Sequence, residues 1–441
     1  MVLEMRKMKD SGIEWIGEIP EGWEIIPVKY LAKYNYDTLA ESCSPDFEFS
    51  YIDIGSVTYT DGITNYQNFK FKDAPSRARR IVHSGDILVS TVRTYLRAVA
   101  CVNEHRLPQI ASTGFLVLQA DISKIHPHFL MYSVLSDNFI CKVEANSVGI
   151  SYPAINASQI VHFKLPIPQL SEQFLLVTYL DRQCSEIDAL LSKTLSSIEE
   201  YKKLKQAVIT QAVTKGVRGE REMKPTDFTR WSEIPFDWNL KRVKSCIASI
   251  SSGLSAVTDD ANSEESGKFV LRTSAVSSGF FVPTEVKPVL KSAVNRLICP
   301  VEPDTLIVSR MNTASMVGAC AYVANNHPNT FLPDKLWKIK FLPSYHTKYM
   351  WYALNSVPAK SWFSELATGA SSSMQNISIN DFTSNYLPIP AFSEQEEIAD
   401  YLDAKCAEID KLIAKKEQLV KELESYKKSL IYEVVTGKRE V

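Results

Sequence analysis

Hydrophobic residues recur every seven positions through two long stretches of the chain, and each stretch predicts one long amphipathic helix. In residues 393–436 they form two series, which are Ile398, Leu412, Leu419 and Tyr426, and Leu402, Ile409, Leu423 and Leu430. In residues 171–215 the matching positions include Leu176, Leu180, Ile187, Leu190, Tyr201, Leu204 and Val208. Two apolar seams with a few polar interruptions are typical of a coiled coil. Each helix of about 43 residues is expected to be roughly 65 Å long.

Outside these stretches the pattern changes to the short apolar runs that predict β-strands. Residues 86–90 and 304–309 each run from an aspartate through apolar residues to a serine, and an arginine follows within three positions. Residues 115–118 are apolar throughout, and residues 336–340 alternate between apolar and basic. Such runs are typical of buried or half-buried strands. The chain is therefore predicted to be α+β, with two strand-rich globular bodies separated by two long coiled-coil helices.

The chain repeats itself at a distance of 222 residues. The phrase LPIPQLSEQ at 165–173 returns as LPIPAFSEQ at 387–395, and a predicted helix follows each copy. A second echo has an offset of 215 residues, since the segment GEIPEGWEIIPVKYL at 17–31 returns as SEIPFDWNLKRVKSC at 232–246. Solenoid repeats are excluded, because their period is about 20–50 residues. The pattern indicates tandem duplication of a whole domain plus a helix.

This duplication predicts four segments. The first body is expected at 1–164, with an N-terminal head at 1–22, and the first helical region at 165–219. The second body is expected at 220–386 and the second helical region at 387–441. The two bodies share an outline of strands but little sequence. We therefore expect the two bodies to perform the same function on different molecular targets.

Composition describes an ordinary globular protein, with 45% hydrophobic and 23% charged residues. No apolar run approaches the roughly 20 residues needed to span a bilayer, and the charged N-terminus lacks the apolar core of a signal peptide. Eight cysteines are scattered singly, without a CxxC pair, which favours a reduced, cytoplasmic protein.

The net charge of −2 conceals a segregated pattern. Residues 61–110 hold eight basic and four acidic residues, whereas residues 393–436 hold seven lysines and eleven acids. The two surfaces are expected to face different partners.

Signatures of catalysis are missing from the sequence. It has no GxGxxG after a strand, no GxxxxGK[ST] phosphate loop, no Asn-Pro-Pro-aromatic stretch and no HExxH. His126 and His128 stand two apart beside Pro127, which is more typical of a loop than of a metal-ligand pair. The sequence therefore predicts a protein that is not an enzyme and that holds no cofactor or metal of its own.

What the sequence does offer is basic residues interleaved with aromatics, hydroxyls and amides. Lysine and arginine neutralise phosphates, while arginine, asparagine and glutamine can pair with base edges. Taken alone, such runs are usually a solvated face. The segments 148–159 and 368–381 are expected to be loops that reach a groove or lie on the surface. The candidate DNA-binding residues are Lys70, Lys72, Arg77, Arg79, Arg80, Ser90, Arg93, Tyr95, Arg97, Tyr152, Ser309, Arg310, Asn312, Lys335, Lys338, Ser372 and Gln375.

Three features occur together in this chain: the IGEIPEGWE head at 16–24 with its echo at 234–238, the paired LPIP-x-x-SEQ phrases, and the long helix predicted after each phrase. In this combination the whole chain resembles the specificity subunit of type I restriction-modification systems. The resemblance implies that each body is a target-recognition domain and that the two together read unlike halves of a bipartite double-stranded DNA site. It implies no catalysis in this chain. Two modification (methyltransferase) subunits and, through them, restriction subunits would be its partners, and these would hold S-adenosylmethionine, ATP and magnesium.

Two alternatives remain open at this point. One is the specificity component of a related system whose nuclease and methyltransferase share one partner polypeptide. The other is a coiled-coil scaffold that binds no DNA. One departure from strict repetition concerns the outward helix faces: Tyr-Lys-Lys stands at 201–203 and at 426–428, an offset of 225 residues. Equal docking of two identical partners is therefore not implied by the repeat alone.

Overall fold

The computed structural model describes residues 6–255, 265–371 and 374–441. The chain divides into two compact units: unit 1 comprises Met1–Leu195 and Gln418–Val441, and unit 2 comprises Ser196–Glu417. Each unit thus contains one strand-rich body and a part of each long helix, so that the predicted α+β architecture with two bodies and two long helices is confirmed.

Unit 1 begins with short strands and ends in a long helix. Its strands are β1 (Met8–Asp10), β2 (Glu18–Pro20), β3 (Glu24–Pro27), β4 (Ala32–Tyr34), β5 (Glu48–Ile52), β6 (Val57–Thr58), β7 (Gly62–Ile63), β8 (Gln67–Lys70), β9 (Ala78–Val82), β10 (Ile87–Ser90), β11 (Val99–Cys101), β12 (Gln109–Ser112), β13 (Phe115–Ala120) and β14 (Lys164–Ile167). Its helices are α1 (Pro127–Leu135), α2 (Asp137–Ala145), α3 (Ala157–Ile160) and the first part of α4 (Leu170–Lys215).

The body of unit 1 is built on two four-stranded sheets. One has the order β11-β10-β13-β4 with antiparallel neighbours, and the other has the order β8-β5-β12-β9 with β5 and β12 parallel. Side chains alternate along β10, so Val89 faces the core under the helices and Leu88 faces the core toward the second sheet. This sheet is buried on both faces, which explains why its strands read as continuous apolar runs.

Unit 2 repeats the same plan. Its strands are β15 (Met223–Pro225), β16 (Glu233–Pro235), β17 (Asn239–Arg242), β18 (Ile247–Ser252), β19 (Glu265–Leu271), β20 (Val286–Leu290), β21 (Pro300–Val301), β22 (Thr305–Ser309), β23 (Met311–Asn312), β24 (Cys320–Val323), β25 (His327–Phe331), β26 (Leu336–Phe341), β27 (Thr368–Ser371), β28 (Met374–Asn376) and β29 (Tyr386–Ile389). Its helices are α5 (Val243–Cys246), α6 (Ser274–Ser277), α7 (Thr347–Leu354), α8 (Val357–Leu366), α9 (Ile379–Thr383) and most of α10 (Phe392–Val435).

The sheets of unit 2 have the topology of those in unit 1. The order β24-β22-β26-β18 matches β11-β10-β13-β4, and β20-β19-β25-β21 matches β8-β5-β12-β9, including one parallel pair, β19 with β25. Leu306 and Val308 face the core under the helices, whereas Ile307 faces the second sheet. Two bodies with little sequence in common therefore have one fold, as duplication of a domain requires.

The long helices α4 and α10 have 46 and 44 residues, or about 69 and 66 Å. Within unit 1, Lys427 contacts Asp188, and within unit 2, Lys205 contacts Asp410 and Lys416 lies over the ring of Tyr201. In unit 2 the residue number rises along one helix as it falls along the other, so the paired segments are antiparallel.

One of the two apolar seams is more deeply buried than the other. Leu180, Ile187, Leu402 and Ile409 lie in the cores of their units. Members of the second seam remain about half exposed in this chain, and they are Leu190, Leu204, Leu412, Leu419 and Tyr426. The helices therefore carry an apolar face that the chain itself does not cover.

Candidate DNA interface

The central strand β10 of unit 1 ends at Ser90 and leads into a constrained turn. Arg93 and Arg97 both have positive φ, at 52° and 53°, and they bracket a single 3₁₀ turn at Thr94–Leu96. Residues other than glycine seldom occupy this left-handed region, and they are held there only when their surroundings determine the conformation. The turn presents Tyr95 and Leu96 to solvent.

Arg97 is what holds this turn to helix α2. Its Nε and Nη2 donate to the two carboxylate oxygens of Glu144 at 3.0 and 2.9 Å, and its Nη1 donates to Asp137 at 2.5 Å. The hydrogen bonds to Glu144 raise the pKa of the guanidinium above its usual value. The charge of Arg97 is therefore neutralised by two carboxylates and the residue positions the turn, while its contact with DNA stays a prediction.

A second loop closes against the first. Val148 and Ala154 exchange backbone hydrogen bonds of 2.8 and 3.0 Å, and Arg93 N–H donates to Pro153 at 2.7 Å. The Arg93 guanidinium lies 4.8 Å from the ring centroid of Tyr152. We call the surface formed by residues 92–96 and 147–154 the unit 1 tip. Two predicted residues, Arg93 and Tyr152, are thus brought together and exposed there, and Tyr95 joins them.

Unit 2 presents an equivalent surface after its own central strand, β22. Thr91 N–H donates to Gly114 O and Ile155 N–H donates to Thr91 O; in unit 2, Arg310 N–H donates to Lys335 O and Ile377 N–H donates to Arg310 O. The equivalent backbone bonds anchor residues 311–315, 369–371 and 374–376, which we call the unit 2 tip. In the described part of this tip, β23, β28 and β27 form a small sheet.

The predicted residues of the unit 2 tip are not equally available. The Asn312 amide donates to Ser277 Oγ at 2.9 Å, and its oxygen accepts from Thr313 N–H at 2.9 Å, so this side chain is engaged within the protein. Gln375 is half-buried opposite Asn312 in the β23–β28 ladder, and Lys335 is exposed. Arg310 is half-buried, and its buried Nε meets no hydrogen-bond partner among the described residues. Ser372 lies outside the described residues.

Three other predicted contacts lie inside the bodies. Ser90 and Ser309 are buried at the ends of their central strands, and Lys338 is buried in β26. The Lys338 ammonium donates to Pro300 O at 2.9 Å and pairs with Glu302 at 3.1 Å. Each strand ladder turns these three side chains toward the interior of its body, and their contact with DNA stays a prediction.

The basic run of unit 1 lies on and beside the second sheet. Lys72 and Lys70 pair with Asp46 at 3.1 and 3.7 Å on a well-exposed surface, where such pairs contribute little stability and exchange readily for phosphate. Arg79 lies 5.2 Å from the ring centroid of Phe71. Arg80 is half-buried, and burial lowers the pKa of its guanidinium.

Arg77 is the member of this run that lies next to the unit 1 tip. Its carbonyl accepts from Thr113 N–H at 2.8 Å, and the adjoining Gly114 carbonyl accepts from Thr91 N–H at 2.8 Å. The Arg77 side chain is exposed. A positive charge is thus available on a segment that is linked by backbone hydrogen bonds, through Thr113 and Gly114, to the chain that enters the unit 1 tip.

Sequence reasoning missed the apolar part of the unit 1 tip. Val148 is 82% exposed and Ile150 is fully exposed, although the segment was predicted only to be a polar loop. The available signal was their position beside Gly149, in register with the polar segment 369–376 of the repeat.

Two further kinds of site were sought among the described residues, a metal centre and a membrane-spanning helix. No group of three or more histidine, cysteine or acidic side chains within them is arranged to hold a metal ion. His126 caps helix α1, and His128 lies 3.3 Å from Asp181. In the same residues, no helix is apolar over a length that would cross a bilayer.

Comparisons with known proteins agree on one family. Residues 20–200 and 235–422 each match the family model described as the type I restriction modification DNA specificity domain. The chain is 25% identical to a putative type I restriction enzyme MjaX specificity subunit of Methanocaldococcus jannaschii, over 99% of this chain and 98% of that protein. It is 23% identical to the type I restriction enzyme EcoKI specificity subunit of Escherichia coli strain K12, over 87% and 82% of the two chains.

A solved structure shares the fold. It comes from work on complex assembly and conformational transition of the type I R-M system, and it superimposes with a TM-score of 0.73 at 21% identity, over 96% of this chain and 99% of that one. The two matched stretches cover most of the chain and coincide with the two repeats. The protein belongs to the DNA specificity subunits of type I restriction-modification systems.

Proposed function

We propose that the chain reads a bipartite double-stranded DNA site without catalysing a reaction, with one half recognised at the unit 1 tip and the other at the unit 2 tip. One observation carries this proposal: the two tips occupy the same place in the same topology, held by the same backbone hydrogen bonds, yet they present different side chains. Two domains that recognise different DNA sequences independently need the same backbone structure with different contacting side chains.

Phosphate contacts and base contacts have different candidates. Arg77, Lys70 and Lys72 are exposed and basic, so they neutralise phosphates and supply affinity that is independent of sequence. Arg93 in unit 1 and Lys335 and Gln375 in unit 2 lie at the tips, where side chains reach base edges.

Two modification subunits dock on the half-exposed second seam of α4 and α10, and restriction subunits join through them. The support is chemical: Leu190 and Leu204 on α4, and Leu412 and Leu419 on α10, leave apolar surface exposed along the two helices. Exposed apolar stripes of this length on a protein are typical of interaction surfaces. The partners supply S-adenosylmethionine, ATP and magnesium chemistry.

Exchange of one body tests the proposal. Residues 23–164 are replaced by the matching body of another specificity subunit, and methylated sites are mapped in cells that also carry the modification subunit. We expect one half of the recognised sequence to change and the other to persist. A change in both halves, or in neither, contradicts independent reading. Absence of salt-sensitive retention on duplex DNA favours a scaffold that binds no DNA.

A further inference from the structure

The unit 1 tip exposes more apolar surface than a solvated loop normally does. Ile150 is fully exposed at the end of the loop closed by Val148 and Ala154, and Val148, Tyr152 and Tyr95 beside it are each more than half exposed. Burying one such aliphatic side chain contributes about 1.5–3 kcal/mol. A cluster of them held out in water therefore indicates a partner that buries them.

The loop that carries Ile150 is held in a defined shape. Two backbone hydrogen bonds close it at Val148 and Ala154, and Gly149 has φ of 120°, next to a backbone contact that leaves no room for a side chain. The neighbouring turn is tied down through Arg97, and Thr94 Oγ1 donates to Ser147 Oγ at 2.9 Å. Since the loop is already ordered, inserting its tip into a partner costs little conformational entropy.

The charge of the tip favours DNA over a protein as that partner. Residues 92–96 and 147–154 contain no acidic residue, Arg93 lies over Tyr152, and Arg77 lies beside the turn. Proteins that unstack a base step combine an apolar wedge with neighbouring basic side chains in this way. In the repeat, the residue 222 positions after Ile150 is a serine, and polar residues surround it in the sequence.

We propose that Ile150 is an apolar wedge that enters a base step of the half-site read by unit 1, with Arg93 on the adjacent backbone or groove edge. This deepens the proposed function and rests on it. Recognition of this half-site then depends on how readily the base step unstacks. The free-energy cost of unstacking is lowest at pyrimidine–purine steps. In unit 2 a serine occupies the position that matches Ile150, so we expect no equivalent wedge from that position.

The test uses the full chain and a duplex carrying the sequence found by methylation mapping, with 2-aminopurine placed at successive positions of the unit 1 half-site. We expect one position to brighten several-fold on binding, and Ile150→Ser to abolish that signal while weakening binding roughly tenfold. Ile150→Met should retain it, since methionine also serves as a wedge. Ile122→Ser, at another exposed isoleucine of unit 1, is the matched control and should change neither quantity.

The outcomes distinguish the insertion of Ile150 into a base step from the proposed function of reading a DNA site. Salt-sensitive binding with no brightening at any position, or brightening that survives Ile150→Ser, overturns the wedge and leaves the proposed function standing. Absence of salt-sensitive retention on duplex DNA overturns both. If Ile150→Ser weakens capture of the modification subunit and leaves DNA binding unchanged, the tip is a protein contact and the wedge is wrong.

Discussion

Lys427 on α10 donates to both carboxylate oxygens of Asp188 on α4, at 2.6 and 2.8 Å. Lys205 on α4 does the same to Asp410 on α10, at 2.7 and 2.6 Å. The 222-residue repeat carries Asp188 to Asp410 and Lys205 to Lys427. One ion pair is therefore made once in each unit with the roles of the two helices exchanged, and it sets the register of the paired segments.

Removing one member of the unit 2 pair should cost more than removing the other. Lys205 is nearly buried whereas Asp410 is half exposed. Asp410→Asn leaves a buried ammonium without its carboxylate, and we expect a loss of about 2 kcal/mol in unfolding free energy. Lys205→Met keeps the aliphatic stem and should stay within about 1 kcal/mol of the parent. Urea denaturation measures both, and a larger loss for Lys205→Met would contradict this account.

Glu394 in unit 2 and Glu172 in unit 1 each contact an arginine and a tryptophan, and these two sets of contacts should also differ in how much they contribute to stability. Glu394 is 1% exposed and accepts from Arg221 at 2.5 Å and from the Trp238 indole at 3.1 Å, whereas its repeat counterpart Glu172 is 29% exposed, with Arg6 and Trp23 as partners. Glu394→Gln should cost about 3 kcal/mol, because it removes the buried charge that pairs with Arg221 at 2.5 Å and leaves that arginine only the exposed Asp237 at 3.4 Å. Glu172→Gln, the matched variant, should cost about 1 kcal/mol. Equal losses in denaturant midpoints would show that burial does not decide the difference.

Arginine variants should separate positioning from phosphate contact. Arg97→Ala releases the turn at 93–97 but removes a charge already neutralised by Asp137 and Glu144, so we expect weaker and less selective DNA binding with a nearly unchanged salt slope. Arg77→Ala should lower that slope by about 1 and leave selectivity intact. Titrations at several salt concentrations, on the mapped site and on unrelated DNA, measure both quantities. A salt slope that falls for Arg97→Ala would return this residue to the DNA contacts.

Substitutions on the second seam should affect assembly without unfolding the chain. Leu204→Asp and Leu412→Asp change side chains that are already about half exposed, so we expect stability losses below about 1 kcal/mol. Capture of the modification subunit should fall strongly, because a carboxylate would be buried in that interface. Ile187→Asp, at a buried seam position, is the contrasting variant and should unfold unit 1. Undiminished capture by both exposed-seam variants would contradict docking on this face.

Lengthening both helices together should lengthen the non-specific spacer of the DNA site. Four residues inserted within 192–196 of α4 and four within 414–418 of α10 add about 6 Å of rise and rotate the helices by only about 40°. Both lysine–aspartate pairs can then re-form, and we expect a spacer longer by at most two base pairs with unchanged half-sites. A two-residue insertion in α4 alone rotates its seam by about 200° and should abolish assembly. Methylation-site mapping of each variant decides, and an unchanged spacer in an active four-residue variant would show that the helices do not set it.

The sequence by itself determined the large-scale organisation of the protein. Heptad spacing and the LPIP-x-x-SEQ phrases predicted two long helices within a residue of their ends, and the repeat predicted two bodies of one fold. These properties depend on periodicity and on order along the chain, which a sequence displays directly. The family followed from the same features.

Only the tertiary structure decided what individual polar side chains do. Arg93 and Arg97 stand four residues apart in one basic run, yet one is exposed over Tyr152 and the other is bound by Asp137 and Glu144, which lie 40 and 47 positions further along. Ser90 and Lys338 were predicted from their neighbours in sequence and are buried by strands that come from elsewhere. The free energy of a charged or polar group depends on which partners and how much water surround it, and distant parts of the chain supply both.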